Sequence, residues 1–198
     1  MPASEGDAAA AKATLRRRLT AARAALPEAE RAAAGRLIRD HVLEMPEVSG
    51  AGTIAAYYSA GPEPDTHQLV FALWKRGSYV VLPVLLPDGD LDWASYEGPD
   101  SLAPGPRGIL QPVEPVRGTG TVARADVVLV PALAVDTAGR RLGRGGGSYD
   151  RALARVGPMV PTIGLIYDGE FLDRLPAEPH DRPVRAVARP SHGITWMQ

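Results

Sequence analysis

The most constraining stretch of the chain is Asp126-Val127-Val128-Leu129-Val130, in which an unbroken apolar run follows Asp126 until Pro131 ends it. A half-exposed strand alternates apolar and polar residues, whereas a strand covered on both faces is apolar throughout, as in the parallel sheet of an α/β protein. Parallel strands need crossover connections, and helical patterns flank the run on both sides. Leu15, Leu19, Ala22 and Leu26 recur at helical spacing among strong helix formers, which predicts a helix over 8–25. Pro27 suits the first turn of a second helix, in which Ala34, Leu37, Ile38, Val42 and Met45 repeat the stripe before Pro46 stops it. The period then changes. Strands are expected at 53–58, 79–82, 91–96, 126–130, 162–167 and 184–188, with helices from Asp65 to Arg76 and over 148–156 and a helical turn at 170–175. This order predicts an α/β three-layer sandwich with a mainly parallel, Rossmann-like central sheet and helices on both faces. A single domain over 1–198 is expected, with residues 1–7 disordered.

Composition excludes several function classes. Lys and Arg number 22 against 23 Asp and Glu, so no global charge draws the chain to nucleic acid or to an anionic membrane. No apolar run reaches the roughly 20 residues that span a bilayer, and the N-terminal stretch lacks the pattern of a targeting segment. The absence of cysteine removes disulfides, thiolate metal sites and cysteine nucleophiles, and fits a reducing, cytoplasmic setting. With 21 glycines and 19 prolines the chain exceeds the roughly 12% of average usage. Five of the prolines lie between Glu97 and Gly120, where no regular element is expected.

In open parallel sheets ligands bind beyond the carboxyl ends of the strands. After Val130 the sequence runs through Arg140, Arg141, Leu142, Gly143, Arg144, Gly145, Gly146, Gly147, Ser148 and Tyr149 to Asp150 and Arg151. Glycine lets backbone N–H groups approach an anion closely, and arginine forks bind phosphate. A strand, then glycines and arginines, then a helix start therefore reads as a polyphosphate cradle, although its spacing matches neither G-x-x-x-x-G-K-[ST] nor G-x-G-x-x-G. The alternative is a surface loop with solvated arginines. Asp150, just after the glycines, could hold Mg2+ or complement a helix dipole. Asp181 is a second acid, and His180 beside it could be a base or a structural hydrogen-bonding group.

The run from Pro131 through Asp136, Gly139, Arg141-Leu142-Gly143, Gly145, Gly147 and Tyr149-Asp150-Arg151 resembles the signature of the 5-formyltetrahydrofolate cyclo-ligase family. Shorter segments agree in order: Lys12-Ala-Thr-Leu15-Arg16, Glu63-Pro64-Asp65-Thr66, Gly108-Ile109-Leu110-Gln111-Pro112, and Leu175-Pro176-Ala177-Glu178-Pro179-His180-Asp181. The resemblance implies an enzyme that uses ATP and Mg2+ to convert 5-formyltetrahydrofolate to 5,10-methenyltetrahydrofolate, or a family member that binds folate or nucleotide without turnover. It implies ATP contacts from Lys12, Arg16, Arg141, Leu142, Gly143, Arg144, Gly145, Gly146, Gly147, Ser148 and Tyr149, with Arg141, Arg144 and Tyr149 catalytic. Folate contacts are implied for Tyr58, Glu63 and Arg144 to Ser148, and metal ligation for Asp150 and Asp181. A cytoplasmic monomer is expected, with folate and ATP as its small-molecule partners. Ser148, Val135, Glu170, Arg185 and Leu85 depart from residues common in the family, which implies an altered folate pocket wall.

Overall fold

The computed structural model describes residues 5–176, 178 and 181–197, with side chains from residue 7 onward, residue 107 excepted. Along the chain come α1 (Glu5–Ala25), α2 (Glu28–Leu43), α3 (Pro46–Ser49), β1 (Thr53–Ala55), α4 (His67–Lys75), β2 (Tyr79–Leu85) and β3 (Leu91–Ser95). Then follow β4 (Leu102–Pro104), β5 (Leu110–Pro112), β6 (Val127–Pro131), β7 (Ala134–Asp136), β8 (Arg141–Leu142), α5 (Ser148–Leu153), β9 (Thr162–Leu165), β10 (Phe171–Leu172), β11 (Ala186–Arg189) and β12 (Gly193–Trp196).

The apolar run forms β6, the middle strand of a seven-stranded sheet ordered β12-β11-β9-β6-β1-β2-β3. The five inner strands are parallel, and β3 and β12 close the edges as antiparallel strands. Side chains alternate between faces with a period of two. Ile54, Val80, Leu82, Val127 and Leu129 therefore meet Ile38 and Val42 of α2 and Leu69 and Leu73 of α4. Ala55, Val81, Val128 and Val130 point the other way, onto α5 and a 3-10 segment over Thr119–Arg124. Both faces are covered, which is why β6 is apolar at every position and why the three-layer expectation holds. Ile38 and Val42 are fully buried, which contributes roughly 3–6 kcal/mol together.

A second, three-stranded sheet, β10-β7-β8, stands apart from the main one. Helix α1 packs Leu15 and Leu19 against Leu133, Ala134, Leu142, Leu172 and Leu175 there. This helix is thus bound to the binding loops rather than to the main sheet.

Several expected elements differ. Helix α1 begins at Glu5, so of the expected disorder over 1–7 only residues 1–4 lie outside the described residues. Residues 97–120 are not irregular: β4 and β5 pair antiparallel, and Pro99 and Pro106 open 3-10 turns, where a missing N–H removes no bond. Strand β2 continues through Pro83 because past Val81 it pairs with β3 alone. Residues 170–175 form no helical turn; a 3-10 turn at Asp168–Glu170 leads into β10, parallel to β7. Helix α5 ends at Leu153, short of residue 156, and β1 is confined to Thr53–Ala55.

Candidate active site

Strands β6, β1 and β2 run parallel and so share a carboxyl edge, and a cleft of about 460 Å³ opens there. All the site residues expected from the sequence line it. Lys12 and Arg16 come from α1, Tyr58 and Glu63 from the segment after β1, Arg141 and Leu142 from β8. The loop from Gly143 to Gly147, then Ser148, Tyr149 and Asp150 of α5, and Asp181 complete it. His180 lies outside the described residues.

The cations are held by specific partners. Lys12, only 3% exposed, sets Nζ 2.6 Å from Glu178 and 2.6 Å from Asp181. Arg16 donates from Nε to the Gly143 carbonyl at 2.9 Å, so α1 grips the glycine loop directly. Arg141 is buried, donates to the Pro131 carbonyl at 3.2 Å and pairs with Asp150 at 2.9 Å. Its Nε is buried and unpaired. Arg144 is the exposed member, reaching Glu63 at 3.0 Å across the mouth. Glu63 also accepts from the Ala60 N–H at 2.8 Å.

Glycine is required at particular points of the loop. A Cβ on Gly143 would stand 2.6 Å from Arg141 Nη1, and Gly145 has φ +102° beneath the Arg16 guanidinium. No backbone N–H from Arg144 to Tyr149 donates to a protein acceptor among the described residues. A run of free N–H groups flanked by guanidinium groups is suited to an anion. The buried Tyr149 hydroxyl has no partner, and burial pushes its pKa far above the ordinary phenol value. It is therefore a neutral donor.

Arg23, Tyr57 and Glu178 also line the cleft and were not anticipated. Arg23 was legible: residues 12, 16, 19 and 23 share one face of α1 by helical spacing. Glu178 sat inside a recognised segment. Arg23 pairs with Glu170 at 2.6 Å, both nearly buried, and donates to the Ala132 carbonyl. Burial opposes the Arg23 charge, but the Glu170 hydrogen bond prevails and raises its pKa. Asp136, a signature residue, is fully buried and accepts from the Ala138, Arg140 and Leu175 N–H groups and the Arg140 side chain, a structural staple. Of the departures, Ser148 and Leu85 line the cleft, whereas Val135 is buried in β7, Glu170 serves Arg23, and Arg185 reaches the Pro158 carbonyl from an exposed position.

The model of the 5-formyltetrahydrofolate cyclo-ligase family matches residues 8–190. This chain belongs to the 5-formyltetrahydrofolate cyclo-ligase family. A 5-formyltetrahydrofolate cyclo-ligase of Mycolicibacterium smegmatis is 38% identical over 192 residues, covering 94% of this chain and 97% of that one. The cyclo-ligase of Escherichia coli K12 is 34% identical over 177 residues, covering 88% and 97%. The NMR structure of 5,10-methenyltetrahydrofolate synthetase from Aquifex aeolicus matches with TM-score 0.82 at 27% identity, over 94% of this chain and 93% of that one. The cyclo-ligase family thus accounts for the fold and for the signature loop together.

Proposed function

We propose that this chain, as one domain over 1–198, is an ATP- and Mg2+-dependent 5-formyltetrahydrofolate cyclo-ligase that forms 5,10-methenyltetrahydrofolate and releases ADP and phosphate. The observation that carries the reading is the convergence of five separated signature segments on one cleft. Among the described residues no helix is long and apolar enough to cross a membrane, and the reading takes the enzyme to be a cytoplasmic monomer.

The chemistry demands positioning and charge stabilisation more than a nucleophile. A formyl amide is a poor electrophile because the N5 lone pair is delocalised into the carbonyl. Transfer of the γ-phosphoryl group to the formyl oxygen makes that oxygen a leaving group. N10 then attacks the same carbon, loses its proton, and phosphate departs with the C–O bonding pair. Lys12, Arg16 and Arg144 supply positive charge for the phosphates, and the free N–H groups of the glycine loop orient them. Arg141 holds Asp150 in place, and the neutral Tyr149 hydroxyl can donate to the oxygen that takes up charge. Glu63 can accept from the adjacent N–H donors of a pterin, beside the ring of Tyr58, which stacks on His67 at 3.9 Å.

The donor set fits Mg2+ carried in with nucleotide. Arg141 and the Arg182 N–H both reach Asp150 Oδ1, which leaves Oδ2 for a cation. No group of three or more His, Asp or Glu that could cage a metal occurs among the described residues, and Mg2+ is commonly held by one or two carboxylates with substrate phosphates. Asp150 and Asp181 are the proposed ligands, Asp181 standing against the Lys12 ammonium. Mg2+ would supply neutralisation of phosphate charge. Purified protein given MgATP and 5-formyltetrahydrofolate should develop the absorbance of the methenyl product with stoichiometric ADP. Folate binding without product would instead select a binding protein that lacks turnover.

A further inference from the structure

Five side-chain polar atoms among the described residues are buried without a hydrogen-bond partner, and three of them, on Tyr57, Arg141 and Tyr149, belong to residues that line the cleft. All three are donors. Buried polar groups are nearly always paired, so a cluster of orphaned donors in a cleft marks where ligand acceptors go. Arg141 and Tyr149 lie on the signature loop side, with the Arg141 guanidinium 6.0 Å from the Tyr149 ring. Tyr57 lies elsewhere, two residues beyond β1, in the segment that leads to Glu63.

Tyr57 is 4% exposed and firmly held. Its carbonyl accepts from the Thr66 hydroxyl at 2.7 Å, and the preceding Ala56 N–H donates to the Val81 carbonyl at 2.9 Å. Its ring packs in the core layer shared with Ile54, Leu69 and Tyr96. A phenylalanine would satisfy that packing equally well, so the hydroxyl has no structural use in the chain itself. Burial, reinforced by the Glu63 charge and opposed by that of Arg23, which Glu170 pairs, holds the phenol neutral. An anionic ligand group there would face that carboxylate, so the matching acceptor is an uncharged carbonyl oxygen.

We propose that Tyr57 is a substrate-binding residue whose hydroxyl donates to the 4-oxo group of the pterin ring while Glu63 takes the neighbouring N3–H and 2-amino donors. On a pterin these three groups follow one another along a single ring edge as donor, donor, acceptor. A carboxylate spans the first two, and a phenol beside it meets the third. This assignment rests on the cyclo-ligase reading above.

The test compares full-length wild type with Tyr57→Phe, measuring affinity for 5-formyltetrahydrofolate and for tetrahydrofolate by titration calorimetry, KM for ATP, and the melting temperature without ligand. Affinity for both folates should fall about tenfold, the equivalent of roughly 1.4 kcal/mol. KM for ATP should stay unchanged, and the variant should melt at the same temperature or higher because an orphaned hydroxyl is gone. Wild-type affinity for both folates in the variant would overturn the assignment and leave the cyclo-ligase reading intact. A loss confined to 5-formyltetrahydrofolate would move the contact to the formyl oxygen and overturn the ring-edge assignment. A lowered melting temperature would make the hydroxyl structural, also against it. Failure of the wild type to bind either folate would instead refute the cyclo-ligase reading.

Discussion

Replacing Glu170 by alanine strands the Arg23 guanidinium in the interior. Arg23 and Glu170 are 3% and 5% exposed, and the carboxylate accepts from Arg23 at 2.6 and 2.8 Å and from the Tyr167 N–H at 2.9 Å. After the substitution Arg23 keeps only the Ala132 carbonyl and the Tyr167 ring, 5.6 Å away. Removing one partner of such a buried pair costs about 3–5 kcal/mol. For a chain of this size each kcal/mol moves the melting temperature by about 2–4 °C, so Glu170→Ala should melt about 6–20 °C lower. Glu170→Gln keeps an acceptor and should lose far less. The double replacement Arg23→Met with Glu170→Leu removes both charges and should recover much of the loss, since a buried ion pair is weak net stabilisation against apolar residues of similar volume. Thermal unfolding followed by circular dichroism measures all three. A fall of less than about 2 °C for Glu170→Ala would mean that water reaches the pair, and the reasoning from burial would be wrong.

Asp150→Asn should cut turnover at saturating MgATP by at least about 100-fold with the melting temperature nearly unchanged; full activity would remove Asp150 from the metal site. In Gly143→Ala the new Cβ meets Arg141 Nη1 at 2.6 Å and displaces the guanidinium from Asp150, so KM for ATP should rise about tenfold or more, and an unchanged KM would refute the requirement for glycine there. Lys12→Met, which removes the ammonium shared by Glu178 and Asp181, should raise KM for ATP well above its effect on folate affinity, as separate titrations would report. Asp90 has its pKa lowered by the Arg155 hydrogen bond, so its stabilising contribution is present above the ordinary carboxylate pKa and is lost as pH falls through the lowered one. Arg155→Met should therefore shrink the stability lost as pH falls below about 5 in urea unfolding; an unaltered acid slope would show that the pair does not couple to folding.

What was legible in the sequence follows from the range of each signal. An apolar run such as Val127 to Val130 reports burial on both faces by itself, and the glycines and arginines after it report their chemistry by residue type. The strands of the second sheet, β7, β8 and β10, are two or three residues long and carry no periodicity. They exist because Leu133, Leu142 and Leu172 meet α1, a long-range fact. The β4–β5 hairpin hid for a similar reason: its prolines read as breaks, yet they sit where strands end and turns begin. Partners distant in sequence were also hidden. Lys12 read as a phosphate ligand by motif, and nothing local announced Glu178 as a counterion 166 residues away. Arg23 and Glu170 were each ordinary surface charges until the fold buried them together.

Helix α1 has consequences for the order of events on the ribosome. The groups that hold it, from the Ala132 carbonyl to Asp181, come from the last third of the chain. During synthesis the helix emerges well over 100 residues before its counterions and its apolar seat. Until then Lys12 and Arg23 stay hydrated, and the helix lacks the packing of its apolar face from which protein helices draw most of their stability. The cleft wall it supplies is therefore completed only after residue 181 has emerged, and a nascent chain stopped before residue 170 has the Arg16 grip on Gly143 but lacks the carboxylates that hold Lys12 and Arg23.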